Sequence, residues 1–198
     1  NIRDSMRYFE NHDGIAERIR GLLAAELQKS WAAGDRVLLM AHSLGSVIAW
    51  DTLWSLGDSV QRRDVNAGID LFLTLGSPLG TRFVRRRLLG ARAGGARCYP
   101  QGIHRWRNLA ALGDLTALGH RFADDYAEML QLGLVEEITD QTDLDHMIEH
   151  GVGPGGGDHR SDGSGESVPG PGRAQCAQVL WLFRQRRHRL GHCRLVAG

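Results

Sequence analysis

RVLLMAHSLGSVIAWDTLW, residues 36–54, is the stretch whose reading decides the fold. Arg36-Val-Leu-Leu-Met-Ala41 is a short continuous apolar run of the kind found in a strand covered on both faces. From Gly45 to about Leu56 the apolar residues fall at helical spacing instead. Ala41-His42-Ser43-Leu44-Gly45-Ser46 stands at the junction. Small residues two before and two after Ser43 let the chain turn sharply enough to hold its hydroxyl strained and exposed at the carboxyl end of the strand. The following helix aims its amide dipoles at that hydroxyl, and the backbone N–H of Leu44 can donate to an oxyanion formed there. Strand, tight turn and helix in this order make Ser43 a candidate nucleophile. No other serine of the chain has such a context.

Outward from this junction the pattern repeats. Ile15, Ile19, Leu22, Leu23, Leu27 and Trp31 lie at helical spacing behind possible caps at Asn11 and Asp13, and Gly34-Asp35 closes that helix. Ile69–Leu75 reads as a buried strand, Thr81–Leu89 as a helix, Trp106–Ala111 as a strand, Arg121–Leu132 as a helix and Leu134–Ile138 as a strand. Alternation of this kind predicts an α/β fold: a mostly parallel sheet with right-handed crossovers and helices on both faces.

VLLMAHSLGSVIAWDTLW, DLFLTLGSPLG and RWRNLAALGDLTAL together resemble the α/β-hydrolase superfamily, and within it the bacterial stand-alone serine hydrolases of esterase or lipase type. The resemblance spans roughly residues 1–145; Ala41 departs from the commonest elbow glycine by one methyl group. It implies Ser43 as nucleophile, Asp114 as the acid that orients a histidine, and the Leu44 N–H in the oxyanion hole. It further implies an acyl-enzyme on Ser43, hydrolysis of a small-molecule or lipid ester or thioester, and no cofactor or metal. The superfamily builds four strands before the elbow strand, so the chain is expected to be the C-terminal part of the fold, N-terminally incomplete, with one edge of the Arg36–Ala41 strand open. The alternative is a non-catalytic hydrolase-like fragment or pseudoenzyme.

Other candidates rank lower. His42 should point away from the elbow, and His104 and His120 suit surface positions. Asp124, Asp125, Asp143 and Asp145 read as solvated carboxylates, and Ser77 in Gly76-Ser77-Pro78 is the second choice of nucleophile. The resemblance puts the catalytic histidine after the last strand, where the chain offers His146 and His150. These belong to His146-Met-Ile-Glu149-His150, which matches a zinc-peptidase pattern, but the glycines that follow would end the helix on its second ligand. Asp158–Glu166 lacks an oxygen ligand at Arg160, which argues against calcium.

Composition supports one folded unit followed by a different kind of segment. The 198 residues are 42% hydrophobic and 24% charged, with a net charge of +1. No apolar run approaches the roughly 20 residues that cross a bilayer, and the stretch from Asn1 onward shows no charged n-region or apolar h-region, so the expectation is a cytoplasmic protein. Cys98, Cys176 and Cys193 form no disulfide framework. Residues 1–146 hold 17 basic and 19 acidic side chains, whereas 147–198 hold 7 and 4. Between Gly151 and Arg173 nine glycines and three prolines fill 23 positions, a composition that cannot fix a backbone. The division expected is thus 1–147, a partial α/β-hydrolase domain, and 148–198, a Gly/Pro/Arg-rich disordered tail.

That tail reads as out of frame. Of the 24 basic residues only Lys29 is lysine, a bias of GC-rich coding DNA. Codons for Gln175–Trp181 read one base later permit Asn-Val-His-Lys-Ser-Tyr-Gly, which is similar to the histidine loop of the same hydrolases. Met147-Ile148 contains a stop in that frame, which places the shift after Met147. On this reading the Arg184–Arg194 cluster is no nucleic-acid site, and none is expected.

Overall fold

A computed structural model describes residues 2–63, 67–110, 121–141, 180–186 and 194–197. Four parallel strands lie side by side in chain order: β1 (Asp35–His42), β2 (Leu71–Leu75), β3 (Arg105–Leu109) and β4 (Glu137–Gln141). Helices α1 (Ile2–Glu10) and α2 (Ile15–Ala32) precede β1, and α3 (Leu44–Arg63) joins it to β2. A short α4 (Arg82–Arg85) lies between β2 and β3, and α5 (Phe122–Asp125) and α6 (Ala127–Gln131) between β3 and β4. The α/β fold expected from the alternating pattern is therefore the fold observed. Parallel neighbours need such crossovers, because a hairpin turn reverses direction.

The elements differ from expectation where tertiary contacts intervene. The helix expected over 121–132 breaks at Tyr126 (φ −118°, ψ 22°), whose hydroxyl donates to the Leu79 carbonyl at 2.8 Å. The strand expected at 134–138 starts later, at Glu137, because Gly133 (φ +65°) and the Leu134 N–H bond to the Met129 carbonyl still close α6. The helix expected over 81–89 is only α4, capped by Thr81. By contrast α3 runs past Leu56 to Arg63, and α1 is a helix beyond those expected, with Ile2, Met6 and Phe9 at helical spacing.

Two further strands, β5 (Leu180–Arg186) and β6 (Arg194–Ala197), fall in the segment expected to lack a fixed backbone. β5 runs antiparallel to β1, pairing Asp35 with Arg186 through Ala41 with Leu180, and β6 pairs with β5. The β1 edge expected to be open is thus occupied. Unpaired N–H and C=O groups on an apolar edge are a template for any strand-forming segment. Leu180-Trp-Leu-Phe183 supplies one of high β propensity.

The core lies over one face of the sheet. Val37, Leu39, Ala41, Phe72, Thr74, Trp106 and Asn108 alternate with half-buried or exposed neighbours along their strands and are themselves buried. Trp50 of α3, Phe122 of α5 and Tyr126 close over Trp106 with ring centroids 5.6, 5.1 and 4.8 Å from it. Helices α2 and α3 pack on each other and on β1, and α5 packs on β4.

A buried polar knot joins α1, α3 and the loop after α4. The Tyr8 hydroxyl donates to Asp51 Oδ2 at 2.8 Å, the Leu89 N–H donates to Oδ1 at 2.8 Å, and Arg20 donates to the Tyr8 hydroxyl at 3.1 Å. Burial pushes the Asp51 carboxyl up to about 6 from its ordinary 3.8, and these hydrogen bonds and the Arg20 charge only partly oppose it. The folded chain then holds a proton that the unfolded chain has lost between those two values. Stability from this group is greatest below the lower value and falls as pH rises to the upper one. Urea unfolding should show the wild type losing about 2–3 kcal/mol relative to Asp51→Asn across that window. Parallel pH profiles for the two proteins would refute the assignment.

Candidate active site

Ser43 stands between the end of β1 and the first residue of α3, as its flanking sequence predicts. Its φ is +50°, and Asn11 is the only other described non-glycine residue with positive φ. A side chain at such a backbone angle costs about 1–3 kcal/mol, and the surrounding structure has to hold it there. Three bonds do so. The Ser43 N–H donates to the Leu75 carbonyl of β2 at 2.9 Å, and the Ser43 carbonyl accepts from the Ser46 N–H at 3.0 Å and the Ser46 hydroxyl at 2.6 Å. Ala41 and Gly45 are both buried, which explains why only small residues fit around the turn.

Ser43 is half-buried, and among the described residues its hydroxyl has no hydrogen-bond partner. Because α3 starts at Leu44, the N–H groups of its first turn have no carbonyl four residues back within the helix. Leu44, the first residue of α3, is itself buried. This arrangement suits attack by the Ser43 oxygen with charge stabilisation from the helix end.

Ser77, the second choice from sequence, is buried and has an ordinary extended backbone (φ −83°). Its hydroxyl accepts from the Leu79 N–H at 3.3 Å and lies 2.7 Å from the Ser46 hydroxyl. Since Ser46 gives its proton to the Ser43 carbonyl, Ser77 donates to Ser46. The Gly76-Ser77-Pro78 turn thereby braces the elbow through Ser46. Nothing in the sequence assigns Ser46 a role, and only proximity across 31 residues reveals it. Ser46→Ala should lower stability by about 1–3 kcal/mol, since two buried oxygens lose a partner. A melting curve identical to wild type would contradict this.

His42 is exposed at the end of β1, so it does not pack in the core. His104 is exposed and faces Glu136 at 3.1 Å. Asp125 is not a free solvated carboxylate: Arg85 binds it at 2.9 Å and stacks 5.3 Å from the Tyr126 ring. Asp124 is exposed beside Arg121. Asp140, unremarked in the sequence, takes the Asn108 amide at 3.1 Å and the Ala123 N–H at 2.9 Å, and so ties α5 to β3 and β4. Asp114, His120, Asp143, Asp145, His146 and His150 lie outside the described residues. Among the described residues, no helix is long and apolar enough to cross a membrane.

The class defined by these observations is an α/β domain with a four-stranded parallel sheet and a positive-φ serine at the end of its first strand. Compared with protein-family models, curated proteins and solved structures, the chain matches none.

Proposed function

We propose that this chain is a serine hydrolase of carboxylic ester or thioester bonds, built on the α/β-hydrolase plan, with Ser43 as its nucleophile. The observation that carries this reading is the positive φ of Ser43 in a strand-to-helix turn. A serine is held in a strained, outward conformation there while the neighbouring serines are buried and hydrogen-bonded. In the proposed reaction the Ser43 oxygen attacks the acyl carbon, a histidine takes its proton, and the Leu44 N–H receives the developing oxyanion. The histidine returns the proton to the leaving alcohol or thiol, and water then hydrolyses the acyl-enzyme. No cofactor is needed for these steps. Asp114 is the proposed acid on the resemblance of its segment, and the base is proposed to be encoded in the shifted frame of the tail.

Activity-based labelling tests the reading directly. A fluorophosphonate should modify the protein in the restored frame, and peptide mapping should place the adduct on Ser43. Modification at another serine would overturn it. Asp114→Asn should cut turnover about 10⁴-fold with the fold intact, because a triad acid orients the imidazole and stabilises its protonated form. Near-normal turnover would move that role to Asp143 or Asp145. The chain in its present frame should hydrolyse p-nitrophenyl esters near the background rate.

A further inference from the structure

From Arg82 to Arg97 the chain carries six arginines and no carboxylate. Arg85 is engaged by Asp125, but among the described residues Arg82, Arg86, Arg87, Arg92 and Arg97 have no ion-pair partner. All five are exposed. This density of unpaired charge sits on a backbone that is firmly held. Asp51 takes the Leu89 N–H, the Trp54 indole donates to the Arg97 carbonyl at 2.8 Å, and Gly90 (φ +84°) lies so close under Trp54 that a Cβ would stand 2.1 Å from its nitrogen.

Apolar groups emerge on the same face. Phe83 is 46% exposed and meets the edge of Phe9 at 6.2 Å. Phe9, Trp54 and Leu88 line a cleft of about 620 Å³ together with Arg86, Arg87 and Arg92. We propose that this face docks on the anionic surface of a membrane. Guanidinium groups bind phosphate oxygens in bidentate fashion, and an aromatic ring set among them can enter the headgroup layer beside them. The cleft between them has apolar walls and a cationic rim, which matches a lipid with its anionic head outward. A nucleic acid fits less well: the Arg87 guanidinium lies 3.8 Å over one face of Phe83, where a base would have to stack. The proposal does not depend on the chemistry at Ser43.

Vesicle co-sedimentation of the full chain tests it. The protein should pellet with vesicles of phosphatidylcholine and phosphatidylserine, remain in solution with phosphatidylcholine alone, and be released by raised salt. Arg86→Gln and Arg92→Gln should each weaken binding about fivefold, and their combination should weaken it further. Phe83→Ala should also weaken it, whereas Lys29→Gln on α2 should match wild type. Unchanged circular dichroism confirms that the exposed variants fold. Equal pelleting with both vesicle types, no pelleting at low salt, or an equal loss in Lys29→Gln would overturn the proposal. So would duplex DNA that binds more tightly than the vesicles and is weakened by the same substitutions.

Discussion

On the proposed serine-hydrolase reading, Ser43→Ala should abolish fluorophosphonate labelling of the restored-frame protein and lower its ester turnover by a factor on the order of 10⁶. The size of the effect follows from the chemistry: without the hydroxyl no acyl-enzyme forms, and the remaining groups only polarise the substrate toward water. The substitution should leave the fold intact or slightly more stable. Alanine keeps the small side chain that the turn accepts, and the bonds that hold the positive φ use the Ser43 N–H and carbonyl, not its hydroxyl. Loss of activity at unchanged melting temperature separates a chemical role from a structural one. Persistent labelling at Ser46 or Ser77 would mean that the buried pair opens and that the nucleophile is misassigned.

Trp106→Ala should produce the largest loss of stability, about 3–5 kcal/mol. Trp106 of β3 is 1% exposed, and its ring packs against Phe72 of β2, Trp50 of α3, and Phe122 and Tyr126 around α5. Its indole N–H donates to the Thr74 hydroxyl at 3.0 Å, and Thr74 in turn donates to Asn108 at 2.9 Å. Truncation empties a space that four other rings cannot fill without leaving their own contacts, and it strips a buried hydroxyl of one partner. For a domain of this size the melting temperature should fall by on the order of 10 °C. Trp106→Phe restores most of the volume without the N–H and should recover most of that loss. Equal destabilisation by both variants would assign the effect to the hydrogen bond instead of the packing.

The sheet and its elbow were legible because their signals are local. An apolar run, a small-residue turn and a helical repeat sit within residues 36–54, and each depends on backbone sterics and side-chain period, which neighbours in sequence determine. The same is true of α2, read from Ile15 to Trp31 and observed as Ile15–Ala32. The broken helix at Tyr126 was illegible, since an unbroken apolar period hides a break that comes with a bond to Leu79, 47 residues away.

What the sequence by itself determined is therefore the α/β alternation and the place of Ser43 at a strand-to-helix junction, both consequences of short-range periodicity. Tertiary structure alone decided which serines are engaged. Among the described residues the Ser43 hydroxyl has no hydrogen-bond partner, while Ser46 and Ser77, 31 residues apart, are driven together and buried as a brace. It also decided that β5 covers the β1 edge, and that Asp51 is buried between Tyr8 and Leu89 with a raised pKa. The physical reason is common to all three. Hydrogen-bond satisfaction and desolvation depend on which distant groups share a space, and no spacing along the chain encodes that until the core has closed.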